Sequence, residues 1–381
     1  MNRQKNDVHT ASLVWNFHIP ALHSKTCTLH YDQFVSGSYI PVRRVSITYG
    51  MQKKRSFQRP VIVISRCIEH DPVRYNGDMI SSPEVAAMKP YVSFIPVCPE
   101  VEIGLGIPRS SIRIVRTSAG DRLIQPATDR DLTEMMDDFS QTFIQSLPPV
   151  DGFILKNKSP TSGIANVNVY PSGGKSRAIE KGPGFFGKRI LQAFSDYPIE
   201  DEGRIRNLRI REHFLTRVFM LADFRQVESG GTMSALVKFH SENKLLLMAY
   251  SQAGLATLGR IVANAPHYPP HTIIPEYRRA LLKATRLPPR YTSHINVLLH
   301  SFGYISDHLS SEEKRFFLEQ VEAYRSGRLP LPAVRIIIQT WLLIYPVAYL
   351  KNQTWFAPYP DGLVSLPAEE LQRGREMYEQ S

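Results

Sequence analysis

The chain has 381 residues, 43% hydrophobic and 21% charged, long enough for two domains with their own cores and too apolar to be a disordered polypeptide. Its three cysteines, Cys27, Cys67 and Cys98, are too few, and odd in number, for a disulfide framework, so an extracellular disulfide scaffold is excluded and a reducing, cytoplasmic setting is expected. The formal charge of +11 is concentrated in residues 1–57, where eight Lys/Arg meet two Asp/Glu, so the rest of the chain carries +5 and charge alone does not make nucleic acid the partner.

Residues 1–57 mix His, Ser, Thr and aromatics without a sustained period, and are expected to be a disordered leader or, if translation starts at Met51, an annotation artefact. From Val61 the pattern changes to short apolar runs. Val61–Ser65, Val92–Val97, Ile112–Val115 and Phe153–Leu155 have the length and β-branched content of buried strands. Between them Thr128 and Asp131 open a helix on a capping-box-like pattern, and Leu132, Met135, Met136, Phe139, Phe143 and Leu147 share one face of it. Strands alternating with helices predict an α/β domain with a mainly parallel sheet and flanking helices, over 58–204.

Beyond the acidic segment Glu200–Glu202 strand signals almost vanish, and an all-α domain is expected over 205–381. Phe214, Val218, Leu221 and Ala222 give one helical face. Ser310 with Glu313 caps another helix, whose Phe317, Val321 and Tyr324 follow before Gly327. The apolar stretch Ile336–Leu350 is broken by Gln339 and Pro346, too short to span a bilayer, and reads as a core helix.

In open α/β sheets ligands sit beyond the carboxyl ends of the strands, which singles out three loops. The first holds Ser65 and Cys67 and ends in Arg74, Tyr75, Asn76 and Gly77; the second runs Pro96, Val97, Cys98, Pro99, Glu100; the third runs from Lys156 through Ser159, Pro160, Thr161 and Ser162 to Gly163. A lone intracellular cysteine is ordinarily a small buried hydrophobe, but two thiols directly after strands are how a metal or cluster site is assembled from separate loops. Arg74 and Lys156 could orient a carbonyl-bearing substrate or be surface charges. Glu100 could position a water or simply bind loop amides. Gly104 and Gly106 lack the third glycine of a dinucleotide fingerprint, because position 109 is Arg. His240, His294 and His300 read as satisfied core histidines, and Lys244, Arg286 and Arg290 among Tyr250 and Tyr291 as a basic surface that could also cradle a phosphate backbone.

The segments VISRCIEHDPVRYNG, PVCPEVEIGLGIPR and GFILKNKSPTSG resemble the three signature loops of the thiouracil desulfidase family, a former domain of unknown function. The later segments LVKFHSENKLLLMAYS, LGRIVAN, PPRYTSHINVLLHSFGYISDHL and WFAPYPDG resemble the YbgA-like helical domain. The resemblance implies a four-iron, four-sulfur cluster on three cysteines, the fourth iron binding the sulfur of a thiolated nucleobase or related thioamide, and non-redox exchange of that sulfur for oxygen from water. It maps Cys67, Cys98 and the position of Ser162 to the cluster; around them Glu100, Lys156 and Ser159 are candidates for catalysis, and Ser65, Arg74, Tyr75 and Asn76 for binding the substrate. Ser162 stands where the family has its third cysteine. Three readings follow: a weakened cluster, a cluster completed by Cys27, or a non-catalytic protein that has lost the cluster and binds a small molecule or RNA.

Overall fold

The computed structural model describes residues 55–172, 177–264 and 267–364, together with four short strands nearer the N-terminus. The chain divides into two units, residues 1–56 and 57–381. In the first, β1 (Thr26–Leu29) pairs antiparallel with β4 (Val45–Thr48), and β2 (Phe34–Val35) with β3 (Ser38–Tyr39). The expectations for the leader, the Met51 start and the Cys27 side chain lie otherwise outside the described residues.

The second unit is built on a four-stranded, all-parallel sheet. Its strands are β5 (Val61–Ser65), β6 (Ser93–Val97), β10 (Gly152–Leu155) and β13 (Ile199–Asp201), in the order β13-β10-β5-β6. The near-continuous apolar runs VIVIS and GFIL follow from this position, since a parallel sheet covered on both faces has no solvent side for alternating polar residues. Between β5 and β6 lies α1 (Pro83–Met88), and directly after β6 comes α2 (Pro99–Glu102).

Ile112–Val115 does form a strand, β7 (Arg113–Thr117), but it belongs to a second, mixed sheet. Two residues after its end the chain returns antiparallel as β8 (Gly120–Gln125), and a tight hairpin cannot feed the crossover that a parallel neighbour needs. With β9 (Arg130–Asp131), β11 (Val167–Pro171) and β12 (Glu180–Gly182) this sheet has the order β12-β11-β7-β8-β9. Thr128 and Asp131 therefore sit in and beside the β8–β9 turn. The helix starts later, as α3 (Thr133–Ser146), with the Asp131 carboxylate accepting from the Thr133 amide at 2.9 Å. Its buried line is Leu132, Met136 and Ser140, whereas Met135, expected on that face, is exposed.

Leu132 and Met136 pack with Val63, Phe153 and Leu155 on one face of the parallel sheet, joined by Phe186 of α4 (Phe185–Ala193). The other face, Ile62, Ile64 and Ile154, is covered by Phe214, Leu215, Val218 and Phe219 of α5 (Leu208–Gly230). The C-terminal half of α5 contributes Met220, Leu221, Phe224 and Val227 to a separate helical core, which explains why so much of this helix is buried. Its start is capped by Asn207, whose side chain accepts from the Arg209 and Ile210 amides, and it ends at Gly231 in the left-handed region. At the sheet's other end the fully buried Asp151 accepts from the Val61 amide at 2.8 Å and from Arg225 of α5 at 2.9 Å, bolting helix to sheet.

From Leu208 the described residues are helical: α6 (Met233–Glu242), α7 (Lys244–Tyr250), α8 (Gln252–Ala263), α9 (Pro270–Ala284), α10 (Tyr291–Gly303), α11 (Ser311–Arg325), α12 (Leu331–Ile344) and α13 (Ala348–Lys351). The capping box at Ser310 and Glu313 forms with both of its hydrogen bonds, and α12 stops before Pro346 as the residue preceding a proline leaves the helical region. The protein is thus an α/β layer followed by an all-helical part. No helix among the described residues is long and apolar enough to cross a membrane.

Candidate functional site

Strand register brings the three loops together. Ser65 lies opposite Val97, and Ile64 opposite Ile154, so β5, β6 and β10 end level with one another. Arg66 donates its amide to the Val97 carbonyl at 2.8 Å, and the Lys156 amide donates to the buried Ser65 hydroxyl at 2.9 Å, tying the first loop to the second and third. Cys67 and Cys98 consequently leave neighbouring strands at the same sheet edge.

Glu100 is the point where the second and third loops meet. One of its oxygens accepts from the Thr161 hydroxyl at 2.7 Å and lies 3.4 Å from the Ser159 hydroxyl; the other lies 3.3 Å from the Cys98 sulfur and 3.4 Å from an Arg109 guanidinium nitrogen. Because Thr161 gives its proton to Glu100, the 2.9 Å contact between Ser159 and Thr161 has Ser159 as donor, forming a relay that ends on the carboxylate. Ser159 in turn accepts from the Thr161 and Ser162 amides. Ser162 is buried, its hydroxyl 3.5 Å from that of Thr161.

The third loop is held by the start of α4. The amides of Gly184, Phe185 and Gly187 donate to the carbonyls of Gly163, Pro160 and Thr161 at 2.8, 3.1 and 2.8 Å, so the loop supplies acceptors for a helix N-terminus. A side chain at Gly184 or Gly187 would run into the loop backbone, which makes glycine a packing requirement at both places.

Both thiols are buried within the apolar cluster on that face of the sheet, and the Cys98 sulfur also lies 3.3 Å from a Glu100 oxygen. Burial pushes Cys67 up to about 12, with the charges of Glu100 and Cys98 adding and Lys156 opposing. Burial pushes Cys98 up to about 11, reinforced by Glu100 and opposed by the Val101 amide and Arg109. No group of three His, Cys, Asp or Glu among the described residues is placed to hold a metal ion.

The remaining candidates lie around this centre. The Lys156 ammonium is fixed by the Glu202 carboxylate and the Asn157 carbonyl, both at 2.6 Å, and Glu202 also accepts from the Asn157 amide at 2.8 Å. Arg74 pairs with Asp78 at 3.7 Å and lies over the half-exposed Tyr75 ring; Asn76 hydrogen-bonds Asp78, and Gly77 takes a positive φ. The Tyr75 carbonyl accepts from the Arg109 amide at 2.8 Å, which attaches this rim to the centre.

Three residues that the sequence did not single out prove structurally prominent. Arg109, read there only as the missing third glycine, is buried and donates to the Val73 carbonyl at 3.0 Å while pairing with Glu100. Thr161 stood in the third signature segment as an unremarked neighbour of Ser162. Glu202 stood in the acidic segment that marked the end of the strands, where nothing in the sequence pointed to Lys156. In the helical part His294 accepts from the Trp355 indole at 3.3 Å and His240 lies 3.0 Å from the Tyr277 hydroxyl, whereas His300, read with them as a core histidine, is exposed.

The family described as 2-thiouracil desulfurase matches residues 62–202, and the family described as protein of unknown function DUF1722 matches residues 244–360. The uncharacterized protein YbgA of Escherichia coli (strain K12) is 31% identical over 154 residues, covering 40% of this chain and 91% of that protein. Among solved structures, the 4Fe-4S-dependent thiouracil desulfidase TudS is 21% identical, covering 39% of this chain and 94% of its own, with a TM-score of 0.29. The chain therefore belongs to the YbgA family, and carries a thiouracil desulfidase-like domain fused ahead of its YbgA-like helical domain.

Proposed function

We propose that the α/β domain binds a thiolated nucleobase or related thioamide and replaces its sulfur with oxygen by non-redox hydrolysis. The family match supports a desulfidase-like activity, and the observation that carries the reading is Glu100, a carboxylate beside the Cys98 sulfur on which the Ser159 and Thr161 hydroxyls of the third loop converge.

The family resemblance implies a four-iron, four-sulfur cluster on three thiolates. Here the donor set is two thiols and the Ser162 hydroxyl, a harder donor of far higher pKa than a thiol. These residues do not fit a three-thiolate cluster, so the chemistry is assigned to the chain's own groups. Water attacks the thiocarbonyl carbon and gives one proton to Glu100; as the carbon–sulfur bond breaks, the proton of the new hydroxyl passes to sulfur, which leaves as hydrosulfide and takes the proton held by Glu100. The thiocarbonyl and one water become a carbonyl and one hydrogen sulfide, with no electrons exchanged. Ser159, through Thr161, keeps Glu100 oriented, and Lys156, anchored by Glu202, offsets the negative charge growing on sulfur. Tyr75 offers its half-exposed ring for stacking on the base, Arg74 and Asn76 bound its edge, and Ser65 fixes the loops beneath.

A second reading, binding without turnover, is favoured by the hydroxyl at Ser162. Anaerobic incubation of the full chain with 2-thiouracil separates the two. Uracil and sulfide in equal amounts without added reductant support hydrolysis. Saturable binding of 2-thiouracil with no sulfide supports the second reading, and neither binding nor sulfide would sink both.

A further inference from the structure

A polar cavity lies beside the start of β13, the edge strand across the parallel sheet from β6 and Glu100. Its volume is about 140 Å³, and Pro198, Glu200, His213, Arg217 and Arg286 line it. Arg217, from the middle of α5, is 3% exposed. One of its terminal nitrogens donates to the Asp196 carbonyl, and its Nε has no acceptor. A guanidinium held in this way is costly, because burial removes the water that would serve its donors and no carboxylate bonds it in exchange. Burial draws the Arg217 pKa down to about 10.

The other charges at the cavity do not cancel it. Glu200 is bonded by Arg204 at 2.6 Å, and Arg286, whose side chain is 59% exposed, pairs with Asp196 at 3.7 Å. Two acids are thus matched to two bases, and Arg217 is left over. Neutral His213 does not supply the missing acceptor. Its Nε2 donates to the Arg286 carbonyl at 3.3 Å, which makes Nδ1 the acceptor for the Tyr250 hydroxyl at 3.0 Å and leaves no ring nitrogen free. An anion entering the cavity would meet a buried guanidinium and, from the exposed side, a second one. The space is large enough to take a phosphate-sized group.

We propose that this cavity is a binding site for a phosphate-sized oxyanion, held by Arg217 from within and by Arg286 at the mouth. The anion binds the part of the Arg217 guanidinium that lines the cavity and stiffens the junction between the start of β13 and α5. The site is independent of the sulfur chemistry at the other sheet edge, so its failure and that of the desulfidase reading are separate results.

Equilibrium dialysis of the full chain against inorganic phosphate, in chloride buffer of constant ionic strength, tests this directly. One phosphate per chain is expected for the wild type. In Arg286→Ala, which removes an exposed side chain and leaves packing alone, the dissociation constant should rise about tenfold or more, as loss of a charge-assisted hydrogen bond requires. In Arg217→Met binding should vanish; if that variant does not fold, Arg286→Ala decides alone. A parallel arm with 5′-UMP identifies the source. Displacement of phosphate by UMP marks a terminal phosphoryl group as the ligand, and phosphate binding that UMP leaves intact marks the free ion. Binding below one-tenth of an equivalent at millimolar phosphate, or unchanged affinity in Arg286→Ala, overturns the proposal.

Discussion

The hydroxyl of Thr161 donates to the carboxylate of Glu100 at 2.7 Å, joining a residue of the third loop to one that directly follows the second strand's end. That bond, with Ser159 behind it, fixes where the carboxylate points. Thr161→Val keeps the shape and removes the donor. We expect a loss of about 1–3 kcal/mol in denaturant unfolding, since a buried acceptor is left short, and a fall in sulfide release of about tenfold; Thr161→Ser should restore both. A Val variant with wild-type stability and rate would show that Glu100 is oriented by other contacts.

Ser162 occupies a rigid loop, clamped by the α4 amides, and Ser162→Cys should be accommodated with little rearrangement. After anaerobic reconstitution with iron and sulfide, the variant should gain up to about four irons per chain while the wild type stays below about one. Equal iron in both proteins would mean that the third thiol is dispensable here.

The thiols give a pH dependence with a definite sign. Cys67 is raised to about 12 and Cys98 to about 11, against 9.0 for the unperturbed group. The folded state therefore favours the protonated thiols. Their contribution is present in full below pH 9 and is lost as pH rises from there through about 11 and then about 12. In a Cys27→Ser background, absorbance at 240 nm of iron-free protein should show no native thiolate up to pH 9, and alkylation at pH 8 should be slow until denaturant is added. A thiolate step near pH 8 in the native protein would contradict the burial described above.

Asp151 is fully buried and answers to the Val61 amide and Arg225. Arg225→Met removes the charge that compensates it, with an expected cost of about 3 kcal/mol in unfolding free energy, without direct effect on the sulfur site. Asp151→Asn should be milder than Asp151→Ala, because the amide oxygen still accepts from Val61.

Three strands of the parallel sheet were legible in the sequence, because Val61–Ser65 and Phe153–Leu155 are buried on both faces and carry that burial as unbroken apolar runs; the fourth, Ile199–Asp201, was not, since its two carboxylates read as an acidic segment ending the strands. The second sheet was largely not. Gly120–Gln125 and Glu180–Gly182 are half-polar segments whose strand character comes from pairing, which a local reading does not see. For the same reason Cys67, Cys98 and Glu100 could be located as loop residues, while Arg109 and Glu202 could not be attached to the site. Arg109 returns to Glu100 through the irregular loop after α2, and Glu202 reaches Lys156 across forty-six positions of chain because β13 pairs with β10.

The most direct measurement pairs the wild type with Glu100→Gln, following 2-thiouracil binding by titration and sulfide release under anaerobic conditions. If Glu100 takes the proton from the attacking water, binding stays within about threefold while release falls by about 10²–10⁴. Sulfide release by Glu100→Gln at the wild-type rate would contradict the role assigned to this carboxylate.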